Sequence, residues 1–141
     1  MNTKTTRSYK DLVVWQKGIA LAKLIYQLTN KFPREEKFGL VAQMRRAAVS
    51  VPSNVAEGQA RHTTGEFVQF ISHAEGSLAE LDTQLILSIE LRFARVQDAD
   101  AAFGLISELR RMLNALRENS PRANNITRHL SFVTPIIAAR E

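Results

Sequence analysis

Residues 67–88, FVQFISHAEGSLAELDTQLILS, decide the fold class because their apolar positions recur every three or four residues. At 3.6 residues per turn, this spacing collects them on one face of an α-helix. Residues 63–66, TTGE, come directly before and have the spacing of a capping box, so they predict where the helix begins. The face consists of Phe67, Ile71, Ala74, Leu78, Leu81, Leu85 and Ser88.

The first helix is predicted to follow residues 8–11, SYKD, which also have capping-box spacing, and to end at Phe32-Pro33. Two apolar stripes make half of its surface apolar, so we expect it to be packed on two sides. One stripe holds Trp15, Ile19, Ala22, Tyr26 and Thr29, and the other holds Leu21, Ile25, Leu28 and Phe32.

The second helix is predicted to start after Pro33, with Glu35 and Glu36 in its first turn. Pro52 lies inside its apolar pattern, and proline removes one helical hydrogen bond. Because the pattern stays in register across Pro52, we expect one kinked helix. A fourth helix is predicted to start near residues 95–98, with Asp98 or Asp100 as its N-cap, and to end at Ser120-Pro121.

Short connections between long amphipathic helices predict an all-α, antiparallel, up-down-up-down four-helix bundle over residues 1–120, with its second helix kinked at Pro52. Residues 121–141 form a C-terminal tail whose apolar side chains are unusual for a solvated segment. The tail either docks on its own bundle, docks on a neighbouring copy or is disordered, and docking is the favoured interpretation. Its apolar residues are Leu130, Phe132, Val133, Ile136 and Ile137.

The composition excludes several classes of protein. A chain of 141 residues without cysteine fits one domain with no disulfides and no thiolate metal site. Neither a signal peptide nor a long apolar run is present, which predicts a cytoplasmic protein without membrane contact. The net charge is +5, and residues 1–37 carry eight Lys and Arg against three Asp and Glu. This basic N-terminal part would attract polyanions.

The second helix carries a polar stripe opposite its apolar face. Serine and asparagine in this stripe favour hydrogen-bonded or closely packed settings, whereas a solvated face usually carries long charged side chains. A solvated face remains the alternative. The stripe holds Gln43, Arg46, Ser50, Asn54, Glu57 and Arg61, and a matching row on the third helix holds Glu66, His73, Ser77, Glu80 and Gln84. Ser50, Asn54, Glu57, Ser77 and Glu80 are predicted to form a structural polar network or a subunit contact.

The sequence contains no recognisable catalytic or metal-binding motif. The chain has three histidines, His62, His73 and His129, and none belongs to an HExxH or ExxH metal motif. Ser50 and Ser77 lack a recognisable base and orienting group, and no phosphate-binding GxxxxGK[ST] motif occurs. We therefore expect no enzymatic activity, no cofactor and no metal.

Five cations are candidates for contact with nucleic-acid phosphates, namely Lys17, Lys23, Arg45, Arg46 and Arg61. No helix-turn-helix, zinc-finger or RNA-recognition motif supports base readout. Any binding would therefore be driven by phosphate contacts and depend strongly on salt.

Three segments carry a family resemblance: residues 43–58, QMRRAAVSVPSNVAEG; Phe67 with residues 74–81, AEGSLAEL; and residues 9–12, YKDL, with Trp15. Together they resemble the four helix bundle protein family, often encoded in intervening sequences of bacterial 23S ribosomal RNA genes. The resemblance extends from about Tyr9 to Glu118 and leaves out the tail. It also implies kinship to the accessory variability proteins of diversity-generating retroelements.

This resemblance implies a homo-oligomer, a ring of five bundles. The retroelement proteins bind nucleic acid through a basic surface and partner a reverse transcriptase. The main hypothesis is therefore a non-enzymatic, ring-forming adaptor that binds RNA or DNA backbone, with a reverse transcriptase or another protein as a possible partner. The alternative is a protein–protein interaction scaffold that does not bind nucleic acid.

Overall fold

The computed structural model describes residues 8–120, which contain helices and no strand. This confirms the prediction of an all-α bundle. The predicted tail, 121–141, lies outside the described residues. The four α-helices are α1 (Val13–Thr29), α2 (Leu40–Gln59), α3 (Thr64–Glu90) and α4 (Val96–Glu118).

The helices occupy the corners of a square. Helix α2 packs against α1 and α3, α4 packs against the same two helices, and neither diagonal pair is in contact. Along α2 and α3, Met44 lies beside Ser88 and Gly58 lies beside Phe70, so the two helices run in opposite directions. None of the four helices has the length and apolarity needed to cross a membrane.

The interior is filled by large apolar side chains from all four helices. The α3 face predicted from the sequence is buried in full except for Phe67, which is partly exposed. Burying such a side chain stabilises the fold by about 1.5–3 kcal/mol, so these residues dominate the stability. The largest fully buried ones are Leu21, Ile25, Met44, Val51, Val55, Ile71, Leu78, Leu81, Leu85, Ile106, Leu109 and Leu113.

Helix α1 begins later than the capping-box pattern suggests. Ser8 Oγ accepts a hydrogen bond from Lys10 N (3.2 Å), but it caps a short 3₁₀ turn, Tyr9–Asp11. Leu12 is extended, and the α-helix starts only at Val13. Of the two apolar stripes, the one with Leu21 and Ile25 is buried, whereas Ile19 and Tyr26 on the other are 45% and 43% exposed. Helix α1 packs on two sides, against α2 and α4, as predicted, although part of its second stripe stays exposed within one chain.

Glu36 caps α2 from outside the helix. The predicted acidic first turn is wrong, because Glu35 and Glu36 lie in a separate 3₁₀ turn, Arg34–Glu36, and α2 starts at Leu40. Glu36 Oε2 instead accepts a hydrogen bond from Leu40 N (3.1 Å). A carboxylate here satisfies a free helix N–H and suits the positive end of the helix dipole.

Helix α2 passes through Pro52 without interruption, as expected of one helix rather than two. The kink at Pro52 stays a prediction. Pro52 is buried against α1 at Gly18, where an added Cβ would lie 3.2 Å from Pro52 Cβ. At Gly58, an added Cβ would lie 3.0 Å from Phe70 Cβ on α3. Glycine therefore permits close approach on both sides of α2.

The N-terminus of α3 follows its capping pattern, whereas that of α4 does not. Thr63 Oγ1 accepts a hydrogen bond from Glu66 N (3.2 Å), which confirms this N-cap. Arg95, not Asp98 or Asp100, occupies the N-cap position of α4. Asp98 lies in the first turn and accepts two hydrogen bonds from the Arg95 guanidinium (3.0 and 3.2 Å). These hydrogen bonds lower the pKa of Asp98.

We expect Gly18→Leu to destabilise the fold, because the larger side chain would collide with the rigid Pro52 ring. Overpacking of this kind typically lowers the free energy of unfolding by about 1–3 kcal/mol. Gly104→Leu is the matched control, since an added Cβ at Gly104 meets no described atom within 4 Å. That change should be neutral or stabilising, because leucine favours a helix more than glycine does. Urea unfolding at one protein concentration measures both; equal destabilisation would contradict the Gly18–Pro52 constraint.

Candidate nucleic-acid and subunit interface

The polar stripe of α2 faces the outer edge of its contact with α3. Ser50 Oγ and Ser77 Oγ are 2.8 Å apart and share a hydrogen bond. Asn54 Nδ2 donates to Ser50 O (2.8 Å) and Ser50 Oγ (2.9 Å). We call Ser50, Asn54 and Ser77 the Ser–Asn cluster. All three side chains are partly buried, so they join the two helices and set their register.

The two predicted carboxylates do not join this cluster. Glu57 is exposed and has no hydrogen bond or ion pair to any residue between 8 and 120. Glu80 is also exposed, and its Oε1 accepts a hydrogen bond from Gln84 Nε2 (3.2 Å). Both carboxylates therefore remain accessible.

Gln84 is a buried polar residue whose side-chain hydrogen bonding is incomplete within residues 8–120. It is only 7% exposed, and its Oε1 is the one buried side-chain oxygen or nitrogen in the described part of the chain without a hydrogen-bond partner. Leaving a buried acceptor unpaired costs about 1–3 kcal/mol. The sequence placed Gln84 in the polar row of α3 but gave no signal that it would be buried.

The Arg45 side chain binds the C-terminal end of α1. Its Nε donates to Thr29 Oγ1 (3.0 Å), and its Nη2 donates to Asn30 Oδ1 (3.1 Å) and to the Tyr26 carbonyl (3.4 Å). The guanidinium also lies 4.5 Å from the centre of the Tyr26 ring. A cation near the last carbonyls of a helix is favoured by the helix dipole. This predicted phosphate contact thus has a structural role at the C-terminus of α1.

Lys17 is also engaged, because its Nζ lies 2.6 Å from Glu108 Oε1 on α4. This partner comes from a different helix, so no local spacing in the sequence could identify it. An ion pair this exposed contributes little to stability. It does lower the positive potential that Lys17 presents to a polyanion.

Lys23, Arg46 and Arg61 are the predicted cations that remain available. Lys23 and Arg46 are exposed and make no side-chain hydrogen bond or ion pair with residues 8–120. Arg61 is exposed and lies 4.6 Å from the centre of the Phe70 ring, a contact that leaves its donors open. Arg46 lies within α2 and Arg61 follows its end; the 13 residues from Arg46 to Gln59 span about 20 Å at 1.5 Å per residue, so the two arginines do not form one compact cluster.

Two ion pairs between α3 and α4 were not foreseen from the sequence. Arg117 Nε lies 2.7 Å from Glu75 Oε1, and Arg110 Nη2 lies 3.5 Å from Asp82 Oδ2. Their partners are far apart in sequence, so no local spacing could identify them. Among the described residues, no group of three or more histidine or acidic side chains is arranged to hold a metal ion.

Exposed large apolar side chains occur on α1, α2 and α3. Ile19 and Tyr26 lie seven residues apart on α1, Val49 lies on the neighbouring helix α2, and we call these three the α1–α2 patch. Ile86, Leu87 and Leu91, at the C-terminal end of α3, form the α3 patch. The α1 members of the first patch and the α3 patch lie on diagonal helices, which are not in contact, whereas Val49 lies on α2, which contacts both α1 and α3.

We expect Ser50→Ala and Ser77→Ala to be coupled, because each removes the same hydroxyl pair. Each single change should lower the free energy of unfolding by about 0.5–1.5 kcal/mol. The double variant should lose less than the sum of the two losses. Ser72→Ala is the control partner, since the Ser72 hydroxyl donates to Val68 O within its own helix. Its effect should add to that of Ser50→Ala, and strict additivity in both pairs would contradict a direct Ser50–Ser77 bond.

The fold is similar to that of a solved structure. A protein of unknown function from the S23 ribosomal protein family of Bacteroides thetaiotaomicron superposes with a TM-score of 0.68 at 19% sequence identity. The alignment covers 76% of this chain and 100% of that one. At this identity, the similarity supports the four-helix fold and nothing more specific.

No curated protein matches this chain in sequence. A family model described as "23S rRNA-intervening sequence protein" matches residues 10–115, about three-quarters of the chain. The match includes the polar stripe of α2, the Ser–Asn cluster and both apolar patches. It ends before the predicted tail. This chain therefore belongs to the 23S rRNA-intervening sequence protein family.

Proposed function

We propose that this protein is a non-enzymatic adaptor that assembles with copies of itself into a ring and binds the backbone of nucleic acid. The observation that carries the binding proposal is that three of the five predicted cations, Lys23, Arg46 and Arg61, are exposed and have no anionic partner in residues 8–120. The net charge of +5 adds a long-range attraction for polyanions. A cytoplasmic setting, where RNA and DNA are available, belongs to the same proposal.

The two apolar patches support the ring. A head-to-tail contact uses two different surfaces of each protomer, and copies related in this way close into a ring when the rotation allows. The α1–α2 patch and the α3 patch are two candidate surfaces; Ile19 and Tyr26 of the first lie on α1, which is diagonal to α3. The number of subunits, five, rests on the resemblance to the retroelement accessory proteins. A reverse transcriptase or another protein partner rests on the same resemblance.

A protein–protein scaffold is the second candidate. Glu57, exposed in the same stripe as Arg46 and Arg61, and Glu80, exposed in the matching row of α3, are acidic side chains open to other molecules. In an assembly, these opposite charges could pair across subunits and leave no cation for phosphate. The arrangement of charges therefore gives the scaffold a physical basis as well.

Titration with single-stranded RNA and with duplex DNA, each at two salt concentrations, tests the binding proposal. Binding should weaken steeply as salt rises, because counterions are released from the nucleic acid. No binding to either polymer at low salt would overturn the adaptor.

Lys23→Gln should weaken binding more than Lys17→Gln does. Lys23 has no partner, whereas Lys17 is paired with Glu108. The loss of one phosphate contact should lower the slope of log K against log salt by about 0.7 for a single strand. The two variants remove one charge each from the same helix, so they control for net charge. Equal effects would show that only net charge matters and would contradict a site at Lys23.

Changing Arg46 and Arg61 together to glutamine separates the two candidate functions. If the assembly persists and nucleic-acid affinity falls, the adaptor is supported. If the assembly is lost, the scaffold is supported, because the arginines then act between subunits. Sedimentation velocity and the RNA titration are measured on the same preparation. Arg110→Gln is the control, since Arg110 is already paired with Asp82.

Ile19→Glu and Leu87→Glu should each break the ring into monomers, because each puts a charge into one of the two contact surfaces. Mixed together, the two variants should form a one-to-one dimer, since each supplies the surface that the other has lost. Gln97→Glu, at an exposed site in the first turn of α4, should leave the ring intact. Sedimentation velocity resolves these species. A ring that survives either patch variant would contradict the head-to-tail arrangement.

A further inference from the structure

One end of the bundle is open. A cavity of about 740 Å³ lies where α1 begins, α2 turns into α3 and α4 ends. Its walls include Leu12, Val13, Phe67, Met112 and Leu116, which are apolar. Pockets of roughly 300–1,000 Å³ bury a drug-sized molecule, so this one has room for several large side chains.

The cavity is apolar at its walls and polar at its rim. Val13 is 52% exposed although it belongs to the first turn of α1. Phe67 is the one member of the α3 core face that is not fully buried. Arg61, His62 and Asn119 lie around the opening. Exposed apolar surface of this kind marks a place where another group binds.

The chain continues from the cavity itself. Ser120, one of the lining residues, directly precedes residues 121–141. Of the two terminal segments outside the described residues, 1–7 reads MNTKTTR and is polar. The other contains residues 130–137, LSFVTPII, in which five of eight are large and apolar. Only the second segment is apolar like the cavity walls.

We propose that residues 130–137 bind in this cavity of their own chain. Ten positions separate Ser120 from Leu130, which is long enough to turn and re-enter the cavity, since an extended chain spans about 3.3 Å per residue. A tether this short holds the segment at an effective concentration of the order of millimolar, which favours the cavity of the same chain over that of another copy. Phe132 and Ile136 are the anchors, and the tail completes the core at the end of the bundle.

The absence of cysteine allows a direct test by cross-linking in the full-length chain. Ala115→Cys places a thiol at the exposed edge of the cavity, and Thr134→Cys places one in the tail without removing an apolar anchor. Val96→Cys with Thr134→Cys is the control, because Val96 is exposed at the other end of α4, about 28 Å away at 1.5 Å per residue. A short flexible bismaleimide should link the first pair within one chain at least tenfold faster than the second.

Adding Phe132→Ser and Ile136→Ser to the cross-linking pair should abolish this advantage, whereas Asn124→Ser should preserve it. The same two serine substitutions in the cysteine-free chain should increase binding of an apolar fluorescent dye, because the cavity becomes vacant. Equal linking rates for the two cysteine pairs would overturn the proposal. Links formed only between chains would assign the segment to a neighbouring copy and overturn it as well. Equal dye binding by the serine variant and the wild type would show that residues 130–137 do not occupy the cavity. That result would also overturn the proposal.

Discussion

The close approach of α2 to both of its neighbours is the constraint on which the bundle depends. Gly18 admits Pro52 on one side, and Gly58 admits the start of the Phe70 side chain on the other. Alanines at positions 47 and 48 complete the buried surface of α2. Small residues let helix backbones approach, and tightly packed interiors do not tolerate added volume. The packing of α2 therefore fixes the positions of α1 and α3, and α4 fills the remaining corner.

This close approach also determines which residues of the polar stripe on α2 form hydrogen bonds and which are exposed. Where α2 meets α3, the short side chains of Ser50, Asn54 and Ser77 bond to one another. Buried or half-buried polar groups need such partners. Farther from the contact, Glu57 and Arg46 of the same stripe are exposed. One stripe thus supplies a helix contact on its inner edge and a charged surface on its outer edge, which is the surface that the proposed function uses.

Most buried polar atoms and large apolar side chains of the bundle are paired or packed within residues 8–120. The exceptions indicate where other groups bind. Gln84 Oε1 is buried without a partner among residues 8–120, two apolar patches are exposed, and one end of the core is open. Contiguous exposed apolar patches mark sites where other molecules bind. We infer that assembly with other copies and the proposed docking of the C-terminal segment supply what the described residues lack.

The sequence by itself determined that the chain is helical and which face of α3 is buried. For α1 it indicated two apolar stripes, and only one of them contains the fully buried Leu21 and Ile25. Apolar spacing located α3 and its buried residues, and the capping pattern placed its start at Thr63, because periodicity and capping depend on residues within a few positions of each other. The polar stripe and the candidate cations were visible for the same reason. Helix starts were missed where the cap comes from outside the local pattern, as with Glu36 and Leu40.

Only the tertiary structure decided which candidate residues are available. Lys17 and Arg45 looked like free cations in the sequence, but Glu108 binds the first and the C-terminus of α1 binds the second. The depth of Gln84 and the open end of the core also depend on how four helices meet. Charges separated by many residues in the chain become neighbours only when the helices pack, so local spacing carries no information about their pairing.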